Sequence, residues 1–194
     1  MFGIELRRQE VNPPADARAL EEIVLRDPAG HDVRLGDVWA QEPATLVFLR
    51  HYGCTFCRDH AARLNEDRES FDEVGAPLTV IGQGTPANAA WFRDEFGLGM
   101  DLLVDTDRLA YRAAGTKMAT FMELLGPSQV IRGLRRGRDS GVRQGRTVGH
   151  PAQLGGLMLV TPEGEVPWTH LSDDAGDYPP NSEVVDAVRG ALAG

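Results

Sequence analysis

The sequence predicts an α/β sandwich in which helices flank a central mixed β-sheet, with a β-hairpin at the N-terminal side. Three observations lead there. Ala44-Thr-Leu-Val-Phe-Leu-Arg50 is a short, continuously apolar run of the kind a fully buried central strand shows. Strand-like and helix-like stretches alternate after it. A late hairpin and a C-terminal helix then close the chain, so the sheet should contain both parallel and antiparallel neighbours.

The elements follow in order. Ile23 to Leu35 reads as a hairpin turning at Asp27-Pro28-Ala29-Gly30. After the central strand, Arg58 to Val74 is charged and helix-forming, with Ala61, Leu64, Phe71 and Val74 near one face. Pro77-Leu-Thr-Val-Ile81 is a second buried strand. Pro86 opens a helix through about Phe96, with Gly97 as its stop. Leu102-Leu-Val104 is a short strand. Asp107 then reads as the cap of a helix from Leu109 to Ala114, ended by Gly115. Met118 to Leu134 is amphipathic. Leu157-Met-Leu-Val160 and Glu165-Val166 flank Thr161-Pro-Glu-Gly164 as a second hairpin, and Ser182 reads as the cap of a closing helix, Glu183 to Leu192.

With 194 residues, 42% of them hydrophobic, the chain is long enough for one well-buried domain, 1–194, and short for two. Twenty basic against 29 acidic residues give a formal charge of −9, which argues against a general nucleic-acid binder. Met1 to Glu10 has no apolar core of a signal peptide, and no run approaches the ~20 apolar residues that cross a bilayer. The expectation is a cytoplasmic protein with no membrane partner, whose thiols stay mostly reduced.

Cys54 and Cys57 are the only cysteines. They sit where the central strand should hand over to a helix, against unsatisfied N–H groups and the positive end of the helix dipole. That setting can lower a thiol pKa from ~8.5 to between ~3.5 and ~7.5. Three residues apart, they face each other across one turn at ~5–6 Å between Cβ atoms, close enough for a reversible disulfide. Cys54-Thr55-Phe56-Cys57 therefore reads as a redox centre. Arg50 and Arg58 are candidates to stabilise a thiolate, and Thr55 lies between the two sulfurs.

A CxxC at the first strand-to-helix junction of such a sheet is the thioredoxin arrangement. Arg50-His-Tyr-Gly-Cys-Thr-Phe-Cys-Arg58, Val80-Ile-Gly-Gln-Gly84, Asp105 with Tyr111-Arg112, Gln153-Leu-Gly-Gly156 and Asp173-Asp-Ala-Gly-Asp177 occur in this order. Over roughly Ile23 to Leu192 the chain resembles the peroxiredoxin-like branch of the alkyl hydroperoxide reductase/thiol-specific antioxidant (AhpC/TSA) superfamily. That branch also holds the prostamide/prostaglandin F synthase-like proteins. The resemblance implies a thioredoxin-like fold and thiol-dependent reduction of a peroxide or related small oxidant. It also implies an external thiol or thioredoxin-like reductant, no metal or organic cofactor, and a homodimer.

The chain departs from ordinary peroxiredoxins, which carry Pro-x-x-x-Thr-x-x-Cys. Laid over that pattern, Cys57 is the nucleophile, Cys54 holds the Thr position and Arg50 the Pro position. Thioredoxin logic instead makes Cys54 the attacker and Cys57 the resolving thiol, and the sequence leaves both open. Thioredoxins also place a cis-proline just before the strand that follows Gln153. Here the nearest proline is Pro151, so Gln153 is a candidate stand-in. Tyr52 is a candidate donor to a peroxide oxygen, although packing is its plainer role. Gln83 follows a strand whose C-terminal end should open near the site.

Rival readings compete. His51, Cys54, Cys57 and His60 form an H-x-x-C-x-x-C-x-x-H string of zinc- or copper-type ligands, but one helical turn does not readily wrap four ligands around an ion. Gly82-Gln-Gly-Thr-Pro-Ala87 with Asp105 imitates a dinucleotide fingerprint, but the preceding βα unit already carries the cysteines. A redox sensor or a vestigial module would show a lost cysteine or a buried pair. His150 and His170 read as ordinary loop or hairpin residues. Lys117 is the only lysine. Finally, Arg132, Arg135, Arg136, Arg138, Arg143 and Arg146 crowd a glycine-rich stretch, 132–149, that reads as a mobile loop. Arg135, Arg136 and Arg138 are candidates to recruit an anionic substrate or acidic reductant.

Overall fold

The computed structural model describes residues 7–127, 131, 145 and 147–194. Seven strands among them form one sheet in the order β2-β1-β5-β4-β3-β6-β7. These are β1 (Val24–Arg26), β2 (Asp32–Arg34), β3 (Ala44–Phe48), β4 (Leu78–Gly82), β5 (Asp101–Val104), β6 (Gly156–Val160) and β7 (Trp168–Leu171). β3, β4 and β5 run parallel. The flanking pairs β1–β2, β1–β5, β3–β6 and β6–β7 are antiparallel. This is the expected mixed sheet of a thioredoxin-like sandwich with an N-terminal hairpin.

β3 shows why the central run is apolar throughout. Alternate side chains leave opposite faces of a strand. Val47 and Leu49 enter one core with Ala61, Leu64, Phe71 and Phe92, whereas Ala44, Leu46 and Phe48 enter the other with Leu20, Trp39 and Tyr111. The first core is roofed by α2 (Thr55–Glu66), α3 (Arg68–Glu73), α4 (Pro86–Phe96) and the closing helix (Asn181–Leu192); the second is covered by α1 (Arg18–Glu21) and α5 (Leu109–Ala113).

Several boundaries differ from the sequence expectations, each for a local reason. The helix after β3 begins at Thr55, three residues earlier than expected, and breaks at Asp67, whose carboxylate accepts from Asn181 of the closing helix at 2.8 Å. α4 matches residue for residue: Thr85 caps it reciprocally with Asn88, and Gly97 stops it at φ 58°. The helix at Leu109 is capped by Asp105, not Asp107. The Asp105 carboxylate accepts from the N–H groups of Leu109, Ala110 and Tyr111 at 2.9, 2.8 and 3.3 Å. The stretch from Met118 yields only the short α6 (Phe121–Leu125). Gly126 is extended, as the residue before Pro127 tends to be.

In the late hairpin the turn closes at Thr161–Gly164, but Glu165 bridges Asp16. The strand pairing with β6 begins at Trp168, after Pro167, which has no N–H for the ladder. The closing helix begins at Asn181, with Pro180 in the cap position expected of Ser182. The six arginines at 132, 135, 136, 138, 143 and 146 lie outside the described residues.

Candidate active site

The thiols stand at the carboxyl end of β3, where one neighbour is parallel β4 and the other antiparallel β6. The loop from Leu49 to Gly53 is held from below. The Tyr111 hydroxyl donates to the carbonyls of Leu49 and Ile81, tying the ends of β3 and β4 together. The Gln83 side-chain amide donates to the Arg50 carbonyl, while its oxygen accepts from the His150 N–H at 2.8 Å. The Gly145 N–H donates to the Gly53 carbonyl at 2.8 Å, one residue before Cys54. Cys54 is extended at φ −73°, ψ 125° and is the N-cap of α2; its carbonyl accepts the first helical N–H, from Arg58, at 3.0 Å. Its thiol therefore lies at the amino end of the helix, and Cys57 follows one turn along.

Both cysteines are reduced and buried, at 3% and 0% exposure. The Arg50 Nη1 donates to the Cys54 sulfur at 3.2 Å, and its Nη2 donates to the Pro151 carbonyl at 3.0 Å. Arg50 is itself buried, at 6% exposure, and no carboxylate lies within ion-pair distance of it among the described residues. The Cys57 thiol hydrogen-bonds to the Cys54 sulfur, and this, followed by the Arg50 charge, lowers the Cys54 pKa from near 9 to about 6 against the opposing cost of burial. Burial and its position beside Cys54 drive the Cys57 pKa the other way, well above the ordinary value. Two chemically identical side chains thus become a thiolate and a protonated thiol.

The other expected site residues separate by role. Arg58 donates to the Tyr52 carbonyl at 3.0 Å, and its guanidinium lies 5.2 Å from the ring centres of Trp91 and Phe96, so it ties α2 to the thiol loop and to α4. Tyr52 packs against Phe92, 4.8 Å between ring centroids, with its hydroxyl lying over Gly82. Thr55 is the first residue of α2. Gln153 belongs to a different network: its amide donates to Thr116 Oγ1 at 2.9 Å and to the carbonyls of Lys117 and Leu154. It fastens the segment before α6 to the approach of β6.

Sequence reasoning missed Tyr178, whose hydroxyl lies 3.3 Å from the Cys57 sulfur. His60, one turn beyond Cys57, stacks on its ring at 4.3 Å. The signal was adjacent: Tyr178 directly follows Asp173-Asp-Ala-Gly-Asp177. That turn is braced by Asp177, which accepts from the Asp173 N–H at 2.8 Å and pairs with His170 Nε2 at 3.1 Å. His170 is thus part of the support for this turn, and His150 part of the support for Gln83.

The rival chemistries meet specific obstacles. Asp105 spends its carboxylate on the first turn of α5, and a Cβ at Gly82 would overlap the Tyr52 phenol, so the Gly82–Gly84 pattern serves packing. His60 of the H-x-x-C-x-x-C-x-x-H string stacks on Tyr178, and burial beside Arg50 lowers the pKa of His51 to about 3. No group of three or more His, Cys, Asp and Glu among the described residues could hold a metal ion.

Comparison with known proteins agrees with this geometry. The chain is 28% identical over 170 residues to the prostamide/prostaglandin F synthase of Salmo salar, covering 85% of this chain and 84% of that one. It is 27% identical over 180 residues to Peroxiredoxin-like 2C of Homo sapiens, covering 89% and 80%. Its fold matches Peroxidoxin BcpB from Mycobacterium tuberculosis at a TM-score of 0.64 and 15% identity, over 95% of this chain and 98% of that one. Peroxiredoxin Q of Xanthomonas campestris matches at 0.61 and 18%, over 94% and 95%. The family model for AhpC/TSA antioxidant enzyme matches residues 63–174, beginning just beyond the cysteines. The chain belongs to the AhpC/TSA antioxidant enzyme family and is a peroxiredoxin-like, thiol-dependent peroxidase or reductase.

Proposed function

We propose that the enzyme reduces a small peroxide with Cys54 as the attacking residue and Cys57 as the resolving one, through a reversible Cys54–Cys57 disulfide in the cytosol. The observation that carries this reading is Arg50. A buried guanidinium is costly unless it faces a negative charge, and the only anion placed to pair with it among the described residues is the Cys54 thiolate. The thiolate attacks one peroxide oxygen, the O–O bond breaks, and the alkoxide or hydroxide leaves and is protonated, giving Cys54 sulfenic acid. Cys57 then attacks the sulfenic sulfur, its proton leaves with the hydroxyl as water, and the disulfide forms. Two equivalents of an external thiol, or one thioredoxin-like dithiol, restore the pair by thiol–disulfide exchange.

One observation favours a second reading, a redox sensor or thiol–disulfide oxidoreductase: both sulfurs are buried. Stopped-flow mixing of reduced protein with hydrogen peroxide and with cumene hydroperoxide separates the two. Fast loss of both thiols, with sulfenic acid trapped on Cys54 in the Cys57→Ser variant, supports the proposal. Oxidation no faster than that of free cysteine defeats it and moves the sensor reading to first place.

A further inference from the structure

We propose that Tyr178 is a positioning residue for the resolving cysteine, donating its phenolic hydrogen to the Cys57 sulfur and so stabilising Cys57 when it carries negative charge. The inference rests on the reading above and adds to it a residue far away in sequence.

The direction of the hydrogen bond follows from counting protons. While Cys57 keeps its proton the bond can run either way, but a Cys57 thiolate has no proton to give. Its sulfur can then only accept from Tyr178, whose hydroxyl is 3.3 Å away. Burial keeps the Tyr178 phenol protonated, its pKa well above 10, so it remains a donor across the working range. Each sulfur thus has its own donor: Tyr178 O–H on the Cys57 thiolate and Arg50 N–H on Cys54. The ring is held for this task. His60 stacks on one face, and Tyr178 follows the turn that Asp177 braces through Asp173 and His170.

The donor matters at two moments. When Cys57 attacks the sulfenic sulfur of Cys54, it must lose its proton first or in the same step, and burial opposes the resulting charge. When an external thiol later attacks Cys54 of the disulfide, the S–S bond breaks and Cys57 leaves as a thiolate. One O–H placed on Cys57 lowers both barriers. Peroxide attack on Cys54 does not place charge on Cys57 and should be nearly indifferent to Tyr178.

The test compares wild type with Tyr178→Phe, which keeps the ring and the His60 stack. The titratable groups around Cys57 are Cys54 and Arg50 on the thiol loop, His60 on α2, and Tyr111 on α5. All are retained, so a change in the pH profile is assignable to the lost hydroxyl. In single turnovers with hydrogen peroxide, sulfenic acid formation should stay within about threefold of wild type. Disulfide formation should slow about tenfold, the worth of one hydrogen bond to a charged group. Its pH profile should shift to higher pH, and the stalled sulfenic acid should over-oxidise to sulfinic acid more often. Incorporating 3-fluorotyrosine at position 178, a stronger donor, should move the resolution rate the opposite way. Unchanged resolution rates and pH profiles in both variants would overturn the inference. A second arm is independent of peroxide: opening of the preformed disulfide by dithiothreitol should slow in Tyr178→Phe. If wild type ignores peroxide but this arm shows the effect, the peroxidase reading fails and the role of Tyr178 stands.

Discussion

At the Cys54 sulfur the decisive neighbours are one thiol and one guanidinium. Both stabilise the charged form, and together they outweigh burial, which alone would raise the pKa. The sign of the pH dependence follows. The thiolate is the reactive form, so oxidation of Cys54 should rise with pH through about 6 and level off above it. In Arg50→Gln the inflection should move upward and the rate at pH 7 should fall, about twofold if the inflection reaches about 7 and about tenfold if it reaches about 8. Iodoacetamide alkylation across pH 4–10 in proteins that keep Cys57, with the Cys54 adduct located by mass spectrometry, measures this; an inflection unmoved by the Arg50 substitution would show that the guanidinium does not stabilise the thiolate.

At the scale of elements, the site depends on caps and close approaches that hold the ends of β3 and β4 in place. Asp105 satisfies three backbone donors of α5, and that helix carries Tyr111, whose hydroxyl clamps Leu49 and Ile81. Asp105→Ala should cost about 1–2 kcal/mol of stability by loss of the cap, read as a lower urea midpoint at unchanged slope. Gly82 lies against the Tyr52 phenol, so a side chain there must displace a ring that packs directly before Cys54. Gly82→Ala should destabilise the protein by about 1–3 kcal/mol through overpacking and alter Cys54 alkylation. An alanine variant with wild-type stability and thiol reactivity would show that Tyr52 has room to move.

At the scale of the whole molecule, burial of the thiols makes access a matter of size. With Cys54 only 3% exposed, a compact oxidant or alkylator should reach the sulfur far more readily than an aromatic disulfide reagent. In the folded protein, thiol titration with 5,5′-dithiobis(2-nitrobenzoate) should lag behind iodoacetamide, and mild urea should remove the difference. A second long-range dependence passes through Lys117, whose buried ammonium bonds Glu123 on α6 at 3.0 Å and Asp173 at 2.8 Å; Arg8 pairs with the same two carboxylates. This network holds the start of the turn that presents Tyr178. Lys117→Met should loosen that turn, seen as faster hydrogen exchange at 172–178 and slower disulfide formation, with peroxide attack on Cys54 preserved.

Patterns set by neighbouring residues were legible in the chain. The alternation that fills both faces of β3, the cap-and-stop of α4, the Asp27–Gly30 hairpin and the Cys54–Cys57 pair at a strand-to-helix junction are all local, because periodicity and capping act over a few residues. The errors were of two kinds. Asp105 caps from four residues before Leu109, and Pro167 delays β7, so plausible nearer candidates were displaced. The other kind was distance: which cysteine is the thiolate depends on Arg50 folding back over the sulfur, and the partner of Cys57 comes from Tyr178, 121 residues later. Sequence spacing specified that two thiols would meet. Only tertiary packing, with Arg50 turned onto Cys54 and Tyr178 laid against α2 beside Cys57, decided what environment each would meet in, because hydrogen bonds and charges act through space and not along the chain.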